Sequence, residues 1–336
     1  MDPGLAIGVV LALAFATTNG LHDASNAIAT LVATRVATPL QAIVMASVFN
    51  LLGPLLLGAA VAGTIGGIVA VEPSVATAVI GSGLAGAVTW NLLTWRLGLP
   101  SSSGHALVGG LMGAALVEGG VQAVNWGGLD GWHPVGAVGT LVALAISPLL
   151  GALAAVVAIR GLRRLARRGT RRLHAPIGAG QWAMSAALAF SHGANDAQKS
   201  IGVIAALLLA DGRIDTLAAP LWAKLVCAVA LTAGTALGGW RIIHTVGRGI
   251  YRLQPVDGLA SQTASTGVIL GASLVGAPVS TTQVVASSVV GVGAGRRRWH
   301  HVRWATVRQM GLAWAITIPA SAALGGCAVE LWGWLS

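Results

Sequence analysis

The sequence predicts an all-α polytopic membrane protein made of two inverted-topology repeats of about five helices each. Three observations predict it. The chain is 55% hydrophobic and only 9% charged, with a mean hydropathy of +0.78, whereas soluble domains carry about 25% charged residues. Ten apolar runs fall five before and five after a basic stretch, and an odd number of crossings per half turns the second half over. One short acidic motif also occurs once in each half, as GLHDASNAIAT at 20–30 and SHGANDAQKSIGV at 191–203.

The runs lie at 4–34, 41–70, 74–95, 98–117, 134–159, 181–210, 216–240, 258–276, 277–295 and 304–335. The first begins within MDPGLAIGVV, which has neither a basic leader region nor a cleavage site, so it is read as a membrane segment. Runs 4–34 and 304–335 exceed the ~20 residues that span a bilayer, which predicts tilt or a break. The predicted division is a first repeat at 1–159, a basic linker at 160–180 and a second repeat at 181–336. With the N-terminus outside, Arg35, Arg96, RGLRRLARRGTRR at 160–172, Arg241, Arg248, Arg252 and RRRWHHVR at 296–303 share one side. Glu72, Glu118, Asp130, Asp211, Asp215 and Glu330 fall on the other, so the arginine side is expected to be cytoplasmic and both termini outside. LRRLARR also has the apolar spacing of an amphipathic surface helix. Trp126, Trp132, Trp299, Trp304, Trp332 and Trp334 sit near segment ends, as interfacial tryptophans do. The 47 glycines suit close helix packing, and Cys227 and Cys327, both within apolar runs, are read as packing residues.

A net charge of +10 would suggest nucleic acid for a soluble chain. Here the arginines are concentrated in loops with no nucleic-acid-binding module around them, so no nucleic-acid partner is expected. The pairs His22/Asp23 and His192/Asp196 have ligand types suited to a hydrolytic metal, but neither H-E-x-x-H nor G-x-S-x-G is present. No enzyme, catalytic residue, cofactor or resident metal is expected. A passive anion channel has no use for two intramembrane carboxylates, which repel anions.

The acidic motifs carry the chemistry. Aligned on Asp23 and Asp196, 173 residues apart, each reads D-A-x-x-x-I inside apolar sequence. A carboxylate there costs roughly 2.5–3.5 kcal/mol on insertion scales, and doubling it points to a two-fold ion-handling site. Each half also has a hydroxyl cluster after a proline, LPSSSGHALVGG at 99–110 and APVSTTQVVASS at 277–288; Pro100 and Pro278 are 178 residues apart. Proline followed by small residues breaks one helix and starts another, and a helix N-terminus bearing hydroxyls is an oxyanion receptor. Two such ends entering from opposite sides suit one tetrahedral oxyanion.

These motifs resemble those of the inorganic phosphate transporter (PiT) family, whose members carry a G-A-N-D-x-x-N type motif in each half followed by a P-V-S-T-T type motif. Here they read G-L-H-D-A-S-N (20–26), H-G-A-N-D-A-Q-K (192–199), P-S-S-S-G-H (100–105) and P-V-S-T-T-Q (278–283). The second is similar to the bacterial branch, and the four motifs cover nearly the whole chain. The resemblance implies secondary active phosphate uptake across the cytoplasmic membrane by alternating access, with the hydroxyl motifs at tips of re-entrant helical hairpins near the midplane. Ser102 and Ser103 from one half and Ser280, Thr281 and Thr282 from the other would grip phosphate, free or as a neutral complex with a divalent metal. Asp23 with Asn26, and Asp196 with Lys199 in place of an Asn, would form the ion-coupling positions, flanked by His22 and Asn195. The coupling ion is a proton or sodium.

Residues three apart share a helix face, so Lys199 is expected beside Asp196, where two unit charges ~4 Å apart attract by about 4 kcal/mol at an effective dielectric of ~20. The ammonium would stand where relatives hold sodium, and would repel it. Proton coupling is therefore the expected mode, with Asp23 as carrier, since burial disfavours a charged carboxylate. Sulfate is the rival cargo. Anionic lipid is an expected partner of the arginine loops, and a homodimer fits the symmetric assembly common among oligomers.

Overall fold

The structure, a computed structural model, describes residues 3–131, 133–165, 174–238 and 249–335. Its first half comprises α1 (Pro3–Ala33), α2 (Pro39–Leu56), α3 (Ala60–Gly66), α4 (Pro73–Leu97), α5 (Ser103–Gly119) and α6 (Gly136–Leu165). The second comprises α7 (His174–Ala210), α8 (Leu221–Leu237), α9 (Pro255–Leu274), α10 (Thr281–Gly295) and α11 (Trp304–Leu335). Prolines open α2, α4 and α9 at positions where a missing N–H costs no helical bond. Thr38 and Gln41 form a capping box at the start of α2. Among the described residues, six helices are long and apolar enough to cross a membrane. Exposed Leu149, Leu153 and Val157 on α6 belong to an apolar outer surface that suits lipid.

The run at 41–70 is not one span. α2 contains Pro54 and ends in extended backbone at Leu57, and α3 starts afresh after it. Gln198 on α7 accepts the Val61 N–H at 2.9 Å, satisfying one of the free donors of α3. The predicted linker is also partly helical: α6 runs on to Leu165 and α7 begins at His174. Arg167, Arg168, Arg171 and Arg172 of the basic stretch, together with Arg241, Arg248, Trp132 and the Trp334 side chain, lie outside the described residues. One element was not expected, an antiparallel ribbon of β1 (Gly128–Asp130) and β2 (His133–Val135) before α6. Trp126, Trp299 and Trp304 are exposed, the last two stacked with centroids 6.0 Å apart. Both cysteines are free thiols, Cys227 buried and Cys327 exposed.

The halves exchange partners. α1 packs on α8 and α2 on α7, while α6 lies against the α9–α10 hairpin and α11 against the α4–α5 hairpin. Each hairpin returns to the side it came from. The chain before α4 pairs with the chain after α5, Ala70 N–H donating to Ala123 O at 2.8 Å, and Arg296 after α10 pairs with Asp257 at the start of α9 at 2.8 Å. At 15 residues α10 is about 22 Å long, short of a ~30 Å hydrocarbon core.

Two equivalent glycines make the crossings possible. A Cβ on Gly20 would overlap the Leu231 carbonyl oxygen of α8, and one on Gly193 would overlap the Asn50 carbonyl oxygen of α2. Each sits three residues before its aspartate. Gly193→Ala is expected to destabilise the protein by about 1–3 kcal/mol through overpacking, read as a lowered thermal midpoint of the purified protein in detergent.

Candidate functional site

Both hydroxyl motifs begin helices, as the sequence predicts. Ser102 is the N-cap of α5, its Oγ accepting the His105 N–H at 3.2 Å, and Ser280 is the N-cap of α10, its Oγ accepting the Gln283 N–H at 3.3 Å. His105 Nδ1 lies a further 2.7 Å from Ser102 Oγ. Caps of this kind leave the earliest N–H groups of each helix aimed at the tip. The tips meet the bodies of α1 and α7, where Asp23 and Asp196 stand. Asp23, Asn26, Ser102, Ser103, Asp196, Lys199, Ser280, Thr281 and Thr282 are each 2% exposed or less, so the site is closed.

The two halves repeat one contact. Ser103 Oγ lies 2.8 Å from Asp23 Oδ2, and its counterpart Thr281 donates to Asp196 Oδ2 at 2.8 Å. They are then tied across the pseudo-two-fold. Thr282 donates to Asp23 Oδ1, and Asn26 Nδ2 donates to Thr282 Oγ1 at 3.1 Å and Thr281 Oγ1 at 3.3 Å. The acidic motif of the first half therefore grips the hydroxyl motif of the second.

Where the first half has Asn26, Lys199 takes over. Its ammonium donates to Asp196 Oδ1 and, at 3.1 Å, to the Val279 carbonyl of the hairpin tip. The tip residue facing it differs in step. Gly104 stands where the other motif has Thr282, and a Cβ there would come within 3.2 Å of Lys199 Nζ. The lysine and the missing side chain are a matched pair.

His22 and Asn195, which precede the aspartates, turn away to brace the hairpins. His22 Nε2 lies 3.3 Å from both Thr94 Oγ1 and Ser101 Oγ, with Nδ1 3.8 Å from Asp23 Oδ1. Asn195 Nδ2 donates to Ser273 Oγ at 3.0 Å and to Ala277 O at 3.3 Å.

One member of this cluster, Asn19, carries no signal in the sequence, and His192 stood out there only as a possible metal ligand. Asn50 Nδ2 donates to Thr235 Oγ1 at 3.0 Å, and Thr235 itself donates to Leu231 O, so Asn50 Oδ1 is the acceptor 3.0 Å from His192 Nδ1. That nitrogen must carry hydrogen. Nε2 lies 2.9 Å from Asp196 Oδ2 at an ion-pair distance, without the alignment of a straight hydrogen bond.

Ser103 Oγ is 2.7 Å from Asn19 Oδ1 as well as 2.8 Å from Asp23 Oδ2, so its one proton faces two acceptors. Ligand atoms of Asp23, His192 and Asp196 lie within 4.8 Å of one another, the one such group among the described residues able to surround a metal ion. Lys199 already supplies a cation to Asp196.

The chain matches the sequence model described as the phosphate transporter family twice, over residues 19–179 and 166–325. It is 41% identical over 323 residues to a probable low-affinity inorganic phosphate transporter of Mycobacterium tuberculosis (strain ATCC 25618 / H37Rv), covering 96% of this chain and 76% of that one. A protein of the same description from Rhizobium meliloti (strain 1021) is 39% identical, with 95% and 93% covered. Among solved structures, one titled "The sodium-dependent phosphate transporter" superposes with a TM-score of 0.87 over 99% of this chain and 100% of its own, at 24% identity, and has the same fold.

Proposed function

This chain belongs to the phosphate transporter family, and from that premise we propose that it takes up inorganic phosphate by proton-coupled symport. It is a multi-pass membrane transporter and not an enzyme. In the proposed reading the arginine-rich face is cytoplasmic, the termini lie outside, and repeats 1–159 and 181–336 rock about the shared site by alternating access. Cargo is the anion or its neutral divalent-metal complex, whose lost charge lowers the desolvation cost of entry.

One observation carries the reading: the hydroxyls suited to an oxyanion are the same hydroxyls that now serve the carboxylates. Thr282 and Ser103 bond Asp23, and Thr281 bonds Asp196. An entering phosphate takes these donors, together with first-turn N–H groups of α5 and α10. Asp23 then loses its hydrogen-bond donors next to an anion, and both effects favour its protonation. Proton and phosphate thus tighten each other's binding, as symport requires. Ser102 and Ser280 keep the helix ends pointed at the cargo. Lys199 holds the second cation position permanently, which supports a proton over sodium as the coupling ion.

Uptake of radiolabelled phosphate into proteoliposomes tests the cargo. Excess arsenate is expected to compete and excess sulfate is not, because hydrogen phosphate can donate a hydrogen bond to Asp23 or Asp196 and sulfate cannot. Strong sulfate competition would move the assignment to a sulfate carrier. Thr281→Ala removes one direct donor and is expected to weaken phosphate binding roughly tenfold, the worth of one hydrogen bond to a charged group. Unchanged affinity in Thr281→Ala and Ser280→Ala would remove the hairpin tip from the binding site.

A further inference from the structure

The two arginine stretches that the sequence keeps far apart meet in the fold. α6 carries Arg160, Arg163 and Arg164, whose i, i+3, i+4 spacing puts three guanidinium groups on one helical face. α6 packs along α10, and α10 ends at Gly295, directly before Arg296 and Arg297. These six residues line a cavity of about 600 Å³.

Its charge is unbalanced. Asp257 is bound to Arg296 at 2.8 Å, and Arg296 also donates to Gln254 Oε1 at 2.9 Å. Among the described residues no carboxylate pairs with Arg160, Arg163, Arg164 or Arg297. Arg297, with a φ of 58°, is the left-handed residue of the cap that closes α10, in which the Arg297 N–H donates to Ala294 O and the Arg298 N–H to Gly293 O; Arg35, with a φ of 60°, takes the same place after α1.

We propose that this cavity is a binding site for a ligand bearing two or more phosphoryl groups, separate from the transport site. Planar guanidinium groups bind phosphate oxygens bidentately. Four arginines without an ion-pair partner among the described residues, one of them, Arg163, within the field of Asp257, exceed what one orthophosphate can neutralise, and a cavity of this volume falls in the range of nucleotide-sized ligands. The chemistry has two sources, a free condensed phosphate or a diphosphate lipid headgroup. Either one ties α6 to the open end of the α9–α10 hairpin, opposite the tip that carries Ser280, Thr281 and Thr282.

The test measures binding by the full-length protein in a neutral detergent, with tripolyphosphate as one probe and cardiolipin-containing nanodiscs as the other. Saturable binding of either probe is expected, at least tenfold weaker in the triple variant Arg160→Gln/Arg163→Gln/Arg164→Gln. Arg213→Gln, at a site paired with Asp211, serves as control and is expected to bind as wild type. Arg297→Gly separates binding from folding. It relieves the left-handed strain, so its thermal midpoint should hold or rise while binding weakens. Tripolyphosphate binding alone assigns the site to a free ligand, and cardiolipin binding alone to lipid. No saturable binding of either, or equal binding by the arginine variants, would overturn the proposal.

Discussion

Lys199→Ala is expected to cost about 3–5 kcal/mol of stability and to abolish uptake, because it leaves the Asp196 carboxylate buried without its principal counter-charge. Asp196 is wholly buried, and the remaining groups that reach it are His192 and Thr281. The size of the loss distinguishes this lysine from an exposed one, whose ion pair is worth roughly 0–1 kcal/mol. Lys199→Asn is the more informative change. It restores in the second half the D-x-x-N order of Asp23 and Asn26, and with the ammonium gone a sodium ion can approach Asp196. Wild type is expected to show a thermal midpoint indifferent to sodium. The Asn variant should melt lower in potassium and recover as sodium is added, since a ion that binds only the folded state stabilises it by mass action. A wild-type midpoint that rises with sodium would contradict the account of Lys199.

Asp23→Asn is expected to separate two activities that wild type combines. The amide is neutral and of similar shape, as a protonated carboxyl is, but it cannot release a proton. Phosphate–phosphate counterflow needs no net proton movement and should survive. Net uptake driven by a pH gradient should fall to the level of empty liposomes. The substitution also places an amide where both oxygens now face hydroxyls, Thr282 on one side and Ser103 on the other. Ser103 can turn its proton towards Asn19 and accept from the new NH2 group. The variant should therefore fold, and loss of counterflow together with net uptake would show that Asp23 is needed for more than the proton.

Much of this architecture was legible because ions and oxyanions constrain residue type locally. A carboxylate in apolar sequence, and a proline followed by serines or threonines, are costly enough to stand out, and their repetition gave the two-fold relation. The neighbourhood of Asp196 and Lys199 followed from helical spacing alone. What was not legible depends on partners from other helices. The break between α2 and α3 is hidden in continuous apolar sequence and is secured from α7 by Gln198. The orientation of His192 towards Asp196 is held by Asn50, a residue of α2 with no motif around it. The meaning of Gly104 as room for the Lys199 ammonium exists only once the hairpin is folded against α7. His22 and Asn195, which the resemblance places beside the ion positions, also brace the hairpins, a contact that adjacency in sequence does not show.

The central claim is that Lys199 supplies one cation of the site and a proton supplies the other. Its most direct test is radiolabelled phosphate uptake into proteoliposomes under imposed gradients. With sodium absent from both sides, an inward proton gradient is expected to drive phosphate above its equilibrium level, and collapsing that gradient with a protonophore should abolish accumulation. Uptake that required sodium and ignored the proton gradient would contradict the account.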